Sequence, residues 1–310
     1  MTESALLHQP VLLTEAIDGL AIKPDGFYLD GTFGRGGHSA AILASLGPQG
    51  QLLALDHDPE AIHYGKARFA HESRLTLMHG SFADLAENLK AFDRPLDGVL
   101  FDLGVSSPQL EDASRGFSFS VDGPLDMRMN PDAGVSAREW LQTVDETELA
   151  NIIWQFGEER FSRRVARSIV MAREQAPITT THQLALHIGR AIPKWEKHKH
   201  PATRSFQAIR IFLNQELSAL QQGLTAALAT LTPGGRLAVI SFHSLEDRFV
   251  KLFMRREAEG DPLLKTLPLS DEQRNLRLKR IGKAIKPSDT EITHNPRARS
   301  AILRIGEKIR

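Results

Sequence analysis

Tyr28-Leu29-Asp30-Gly31-Thr32-Phe33-Gly34-Arg35-Gly36-Gly37-His38-Ser39 joins an apolar run to an alanine- and leucine-rich helical pattern that continues to Leu46. Apolar strand, acid, glycine-rich loop and helix start form the layout of a nucleotide site at the edge of a parallel sheet. Glycine takes positive φ and lets a ligand lie on the main chain. The amides that open the helix favour an anionic or polar ligand group. Taken alone, the stretch is equally a tight turn, and the chain on either side decides between the two.

Before it, Pro10 to Leu20 reads as a short amphipathic helix. After it, Gln51–Leu55 is a second strand ending at Asp56, and Asp58-Pro59 is an N-cap with proline at the first helical position of a helix reaching about Phe69. Leu75–Met78 is a third strand, followed by Gly80-Ser81-Phe82, a helix over Ala83–Leu89 and a fourth strand over Val99–Leu103. Strands alternating with helices predict a parallel, doubly wound sheet. The next strand signal is Arg236–Ser241, about 130 residues on, whereas a βαβ unit needs only about 30. The insert opens with a glycine- and proline-rich loop from Ser106 to Gly134, of the length that is usually functional or mobile. It continues with helical patterns over Ala137–Gln142, Glu146–Phe156, Glu158–Arg173 and His182–Ala191, and a long helix from about Thr203 to Ala229 returns to the sheet. The expected division is a discontinuous sheet domain, residues 1–112 and 203–310, with an inserted helical domain over 113–202. After the fifth strand come a helix (Leu245–Glu257), a charged and weakly patterned segment, and a last strand over Ser300–Ile305.

The chain has 310 residues, ordinary apolar and charged fractions and no cysteine. That composition excludes disulfides, thiolate zinc sites and cysteine nucleophiles, and suits a reducing compartment. The first ten residues show no signal peptide and no run approaches a membrane span, so a cytoplasmic protein without membrane partners is expected. The histidines are scattered and form no metal-binding pattern. The net charge of zero hides an asymmetry: residues 1–150 hold 10 Lys and Arg against 23 Asp and Glu, and the remaining 160 hold 28 against 15. Such a basic half is either a solvated surface or a face for a polyanion.

Ligands of open α/β sheets sit beyond the carboxyl ends of the strands. There, Asp56 is placed to accept both hydroxyls of a ribose, Phe82 to cover an adenine or simply to fill the core, and Asp102 to accept from an amine. The glycine spacing is a poor dinucleotide fingerprint, and the P-loop and the G-x-S-x-G nucleophile elbow are both missing. A strand, an acid, a glycine loop and a second acid about 26 residues on suit S-adenosyl-L-methionine.

The sequence resembles the bacterial family that methylates the N4 amine of a cytidine in small-subunit (16S) ribosomal RNA. The resemblance runs nearly end to end. It rests on His8-Gln9-Pro10-Val11-Leu12-Leu13, Asp30 to His38, Asp102 to Leu110, Arg115-Gly116-Phe117-Ser118-Phe119, Gly123 to Met129, His200 to Ala208, Ser241-Phe242-His243-Ser244-Leu245-Glu246-Asp247-Arg248, and Asn295 to Ser300. It implies a Rossmann-like class I methyltransferase sheet with an all-helical domain inserted between strands 4 and 5. It also implies that Gly36, Gly37, His38, Asp56, Phe82, Asp102 and Gln109 contact S-adenosylmethionine, and that the partner is 16S RNA in the small ribosomal subunit.

With no cysteine for a covalent adduct at cytosine C5, attack by a heteroatom such as N4 is favoured. Ser106 or Ser107 is the expected group orienting the amine, unless the serines only cap a turn. A flipped base needs a planar platform, for which Phe117, Phe119, Trp140 and Trp195 are the candidates. Phosphate contacts are expected from Arg163, Arg164, Arg167, Lys194, Lys197, Lys199 and Arg204, and from Arg277, Lys279, Arg280, Lys283 and Lys286. The competing reading is an S-adenosylmethionine-sensing, RNA-binding assembly factor without turnover. Oligomeric state stays open, a homodimer included.

Overall fold

The computed structural model describes residues 10–195, 200–260 and 276–310. His8, Gln9, Lys197 and Lys199 lie outside the described residues. Two compact units divide the chain: residues up to Gly104 with those from Ser218 on, and Val105–Leu217.

The first unit carries a seven-stranded sheet in the order β3-β2-β1-β4-β5-β7-β6. Its strands are β1 (Phe27–Asp30), β2 (Gln51–Asp56), β3 (Leu75–His79), β4 (Leu96–Asp102), β5 (Leu231–Ser241), β6 (Leu278–Ile285) and β7 (Ile302–Lys308). β1 to β5 pair in parallel, while β7 runs antiparallel to both β5 and β6. All four residues of β1 are buried, as expected for a strand covered on both faces. Alternation sends Phe27 and Leu29 to one face, where they meet Leu53, Phe101, Leu224 and Val250, and Tyr28 to the other, with Leu12, Ile42, Leu52 and Leu100. Helices α1 (Leu13–Leu20), α2 (Gly37–Ser45), α3 (Pro59–Arg68) and α4 (Leu85–Asn88) cover the sheet together with two later helices, which carry Leu224 and Val250. Asp58 caps α3, accepting from Glu60 N at 3.0 Å, with Pro59 at the first position.

The second unit holds α5 (Ser107–Glu111), α6 (Ala137–Thr143), α7 (Glu146–Gly157), α8 (Ser162–Gln175), α9 (Thr181–Ala191) and α10 (Thr203–Leu213); α11 (Glu216–Thr230) then leads to β5. Among the described residues the remaining α-helices, α12 (Ser244–Glu259) and α13 (Asp289–His294), belong to the sheet unit.

Four details differ from the sequence reading. The joins between units fall at Gly104/Val105 and Leu217/Ser218, not at 112/113 and 202/203. The reason is packing: Phe206, Ala208 and Ile209 of α10 lie inside the helical core, and Val105 and Leu110 pack against it. The single helix expected from Thr203 to Ala229 is two, because Gln215 takes φ 50° and the Asn214 side chain turns to bond Met129 N, Met127 O and Arg210 O at 2.7–2.8 Å. The helix expected from Glu158 starts at Ser162, since Glu158 ends α7 in the left-handed conformation. Finally, β6 occupies what reads as a patternless charged segment. It is the sheet's edge strand with only Leu278 fully buried, so no apolar alternation marks it.

The loop opening the helical unit is closed rather than loose. Met127 N donates to Arg115 O (3.0 Å), Leu125 N to Thr179 O (3.0 Å) and Ala137 N to Asp126 O (2.7 Å). Leu125 and Met127 are fully buried in the helical core. The guanidinium of Arg115, itself buried, donates to Arg128 O and Met129 O at 3.2 and 2.9 Å.

Candidate functional site

The parallel register brings the carboxyl ends of β1, β2 and β4 to one edge, and with them Asp30, Asp56 and Asp102. The three acids are used differently. Asp30 is buried: one oxygen accepts from Ser39 Oγ (2.7 Å), the other from Thr32 N (3.1 Å) and Thr32 Oγ1 (3.4 Å). Burial pushes its carboxyl above the usual range, against the pull of the Ser39 hydroxyl. Asp30 therefore holds the loop instead of facing a ligand. Thr32 Oγ1 in turn accepts from Asp102 N at 2.6 Å, which ties the loop after β1 to the end of β4.

The loop itself requires glycine at two positions. Gly34 and Gly36 take φ of 55° and 71°, and a Cβ on Gly36 would lie 2.6–2.7 Å from the rings of Phe33 and Phe69. Gly37 opens α2 against Pro10. The backbone here is bare enough for a ligand to approach.

Asp56 accepts one backbone N–H per oxygen, from Gly34 at 2.7 Å and Asp58 at 2.8 Å. A lone pair remains on each, the arrangement that a ribose diol can use. Burial raises its carboxyl to about 6 despite those amides. Asp102 Oδ1 is buried without a hydrogen-bond partner, as are both ring nitrogens of His38. His38 Nε2 lies 3.5 Å from Asp102 Oδ2. Burial opposes a charged ring there, but the Asp102 and Asp30 carboxylates outweigh it and raise the His38 pKa. A buried carboxylate oxygen with nothing to accept from is suited to an ammonium or amine.

Phe82 is half-buried. Its ring sits 4.9 Å from that of Phe101, and a Cβ on Gly223 of α11 would come within 2.5 Å of it. Arg35, in the glycine loop, lies over the Tyr64 ring at 4.5 Å.

Gln109 and the two serines belong to the helical unit. Ser106 caps α5, and its N–H donates to Gln109 Oε1 at 2.9 Å, so this amide oxygen is committed to the helix start. Among the platform candidates, Phe117 is buried, Phe119 packs edge-on to Phe206 at 4.8 Å, and Trp140 packs on Phe212 at 4.9 Å. Trp195 is 60% exposed and reaches the His200 ring at 5.9 Å. Arg163, Arg164 and Arg167 are exposed on α8, while Arg204 donates to Glu158 O at 2.9 Å. Lys199 falls outside the described residues. Sequence reasoning passed over Thr32 and Ser39 as the groups that fix the loop; the short hydroxyl spacing after Asp30 is the signal that marks them.

Parallel strands alternating with helices, an antiparallel last hairpin and a glycine loop flanked by acids define a Rossmann-like class I methyltransferase, and S-adenosylmethionine is its cofactor. The chain belongs to the MraW methylase family, whose sequence pattern matches residues 5–309. It is 56% identical over 304 residues to the ribosomal RNA small subunit methyltransferase H of Nitrosococcus oceani, covering 97% of this chain and 96% of that one. It is 54% identical over 306 residues to the protein of that name from Pseudoalteromonas atlantica (97% and 98% covered) and 52% identical over 312 residues to the one from a Marinomonas species (100% and 99%).

Proposed function

We propose that the protein transfers a methyl group from S-adenosylmethionine to the exocyclic N4 amine of a cytidine in the decoding region of small-subunit ribosomal RNA. The observation that carries this reading is the full-length likeness to relatives named for small-subunit ribosomal RNA methylation, on a sheet edge that gathers a bare glycine loop and two acids with acceptor capacity. Bound there, the cofactor supplies a sulfonium methyl as electrophile. The chain's own part is to hold and orient. Gly36, Gly37 and His38 line the loop, Asp56 accepts from the ribose hydroxyls, Phe82 flanks the adenine, and Asp102 accepts from an amine. The N4 lone pair is conjugated with the ring and is a weak nucleophile, so alignment supplies most of the acceleration.

The test is transfer of labelled methyl groups to small subunits lacking the modification, followed by mass spectrometry of the nucleosides. N4-methylcytidine is expected. Binding of the cofactor and of subunits without any transfer would favour the assembly-factor reading instead.

The Asp56 assignment has a pH signature. Hydroxyls donate to the ionised carboxylate, so affinity for S-adenosylmethionine should be full above pH 7 and fall as pH drops through about 6, by at most about tenfold per pH unit. In the unliganded protein the sign is opposite: with a folded pKa raised above the unfolded one, stability from this group is present at low pH and lost as pH rises through about 6. Calorimetric titration from pH 5 to 8 reads the first effect. Asp56→Asn should bind weakly and show a flat profile, and a wild-type profile that is itself flat would remove Asp56 from the ribose.

A further inference from the structure

Residues 276–310 carry ten Lys and Arg against three Asp and Glu. Three of the ten, Lys279, Arg280 and Lys283, lie on β6, the edge strand. Lys279 and Lys283 are exposed on it, and Lys286 is exposed just beyond its end. Among the described residues none of the three has an acidic partner. The neighbouring acids are already engaged: Glu307, opposite Lys279, holds Arg236 at 2.8 Å, Glu259 holds Arg280 at 2.9 Å, and Glu257 holds Arg277 at 2.7 Å. Lys279 and Lys283 rim a cleft of about 770 Å³ against α12, with Lys251 on its other side.

Direction matters as much as charge. β6 is antiparallel to β7, which is antiparallel to β5, so β6 runs the same way as β4. Its carboxyl end, with Lys283 and Lys286, therefore shares the sheet edge of Asp56 and Asp102. Between Ile281 and Ile285 the register slips: four steps on β6 face two on β7, and Gly282 takes φ 66°. Such a bulge bends the edge strand, and Lys283 within it is exposed.

Lysines and a bulge on an edge strand also guard against pairing with other strands. Here the run of exposed lysines also continues past the end of the strand, through Lys286. A second copy pairing along β6 would set like charges opposite each other. From the charge, the strand direction and the unpaired lysines we infer that β6 is a track for the sugar-phosphate backbone of the RNA strand flanking the methylated nucleotide. The inference rests on the proposed RNA substrate. The eight residues of β6, about 26 Å at 3.3 Å per residue, span several phosphates.

The experiment measures binding of the full-length protein to unmethylated small ribosomal subunits from low to moderate salt. Each lost phosphate contact to a single strand lowers the slope of log affinity against log salt by about 0.7, so K279A/K283A/K286A should lower it by about two and weaken binding at least tenfold near 0.15 M salt. S-adenosylmethionine affinity should be unchanged, and the triple arginine variant should restore the slope. An unchanged slope in the alanine variant overturns the track. So does displacement of subunits by polyglutamate but not by polyuridine, which would assign the surface to an acidic protein. If wild-type protein binds subunits with the expected slope but never methylates them, the track stands and the proposed reaction fails.

Discussion

Asp102→Asn should weaken S-adenosylmethionine binding by about 10- to 100-fold while leaving the unliganded fold intact. The change keeps the side chain's shape and removes its charge. A charge-assisted hydrogen bond contributes about 1.5–3 kcal/mol, which is that range of affinity. Asp102 is the acid at the sheet edge with an oxygen left over: Oδ1 has no partner, whereas Asp30 is spent on Ser39 and Thr32. The tie that holds this position runs through the backbone, from Asp102 N to Thr32 Oγ1, and survives the substitution. A second readout separates ligand binding from general disturbance. Asp102 contributes most to raising the His38 pKa, so the imidazole titration followed by NMR should move down in the variant. Wild-type affinity together with an unmoved His38 would show that the carboxylate does neither job.

Gly116→Ala should destabilise the helical unit by ~3 kcal/mol or more, among the largest effects of a single methyl group. Gly116 takes φ 71°, and a Cβ there would lie 2.4 Å from Pro124 O and 2.5 Å from Asp126 N. Both are backbone atoms, and neither can swing away. Pro124 and Asp126 are themselves fixed, by the bridge to Thr180 and by the bond from Ala137 N to Asp126 O. The strain would spread into Leu125 and Met127, which are part of the core. Fluorescence isolates the effect, since all three tryptophans, Trp140, Trp154 and Trp195, lie between Val105 and Leu217. The midpoint of urea unfolding by tryptophan emission should fall, and an unshifted midpoint would mean that the loop opens at little cost.

The parallel half of the sheet was legible because its signals are local. A strand, a turn acid, glycines and a capped helix occupy a dozen or so neighbouring residues, and each piece carries its own chemistry. The placement of Asp30, Asp56 and Asp102 at one edge followed from strand polarity alone. The division of labour among them did not. Asp30 and Asp56 both end apolar strands and look alike in sequence, yet one meets two side-chain hydroxyls and an amide and the other two amides alone. That difference depends on where Ser39 and Gly34 come to rest. Likewise Trp140 and Trp195 were equal candidates for a base platform until packing set one against Phe212 and left the other 60% exposed.

By itself, then, the sequence determined the alternation of strands and helices, the glycine loop and the acids at the strand ends, the helical character of the insert and the methylase family. Tertiary structure decided the features whose partners lie far along the chain. β6 is a strand because β7 offers it a ladder, not because its own residues alternate. The helix after Thr203 breaks because Asn214 is drawn to a loop some 85 residues earlier. The glycine loop is tied to the end of β4 because Thr32 reaches the amide of Asp102, 70 residues away. Hydrogen bonds across such separations leave no periodic trace, since only the folded chain brings donor and acceptor together.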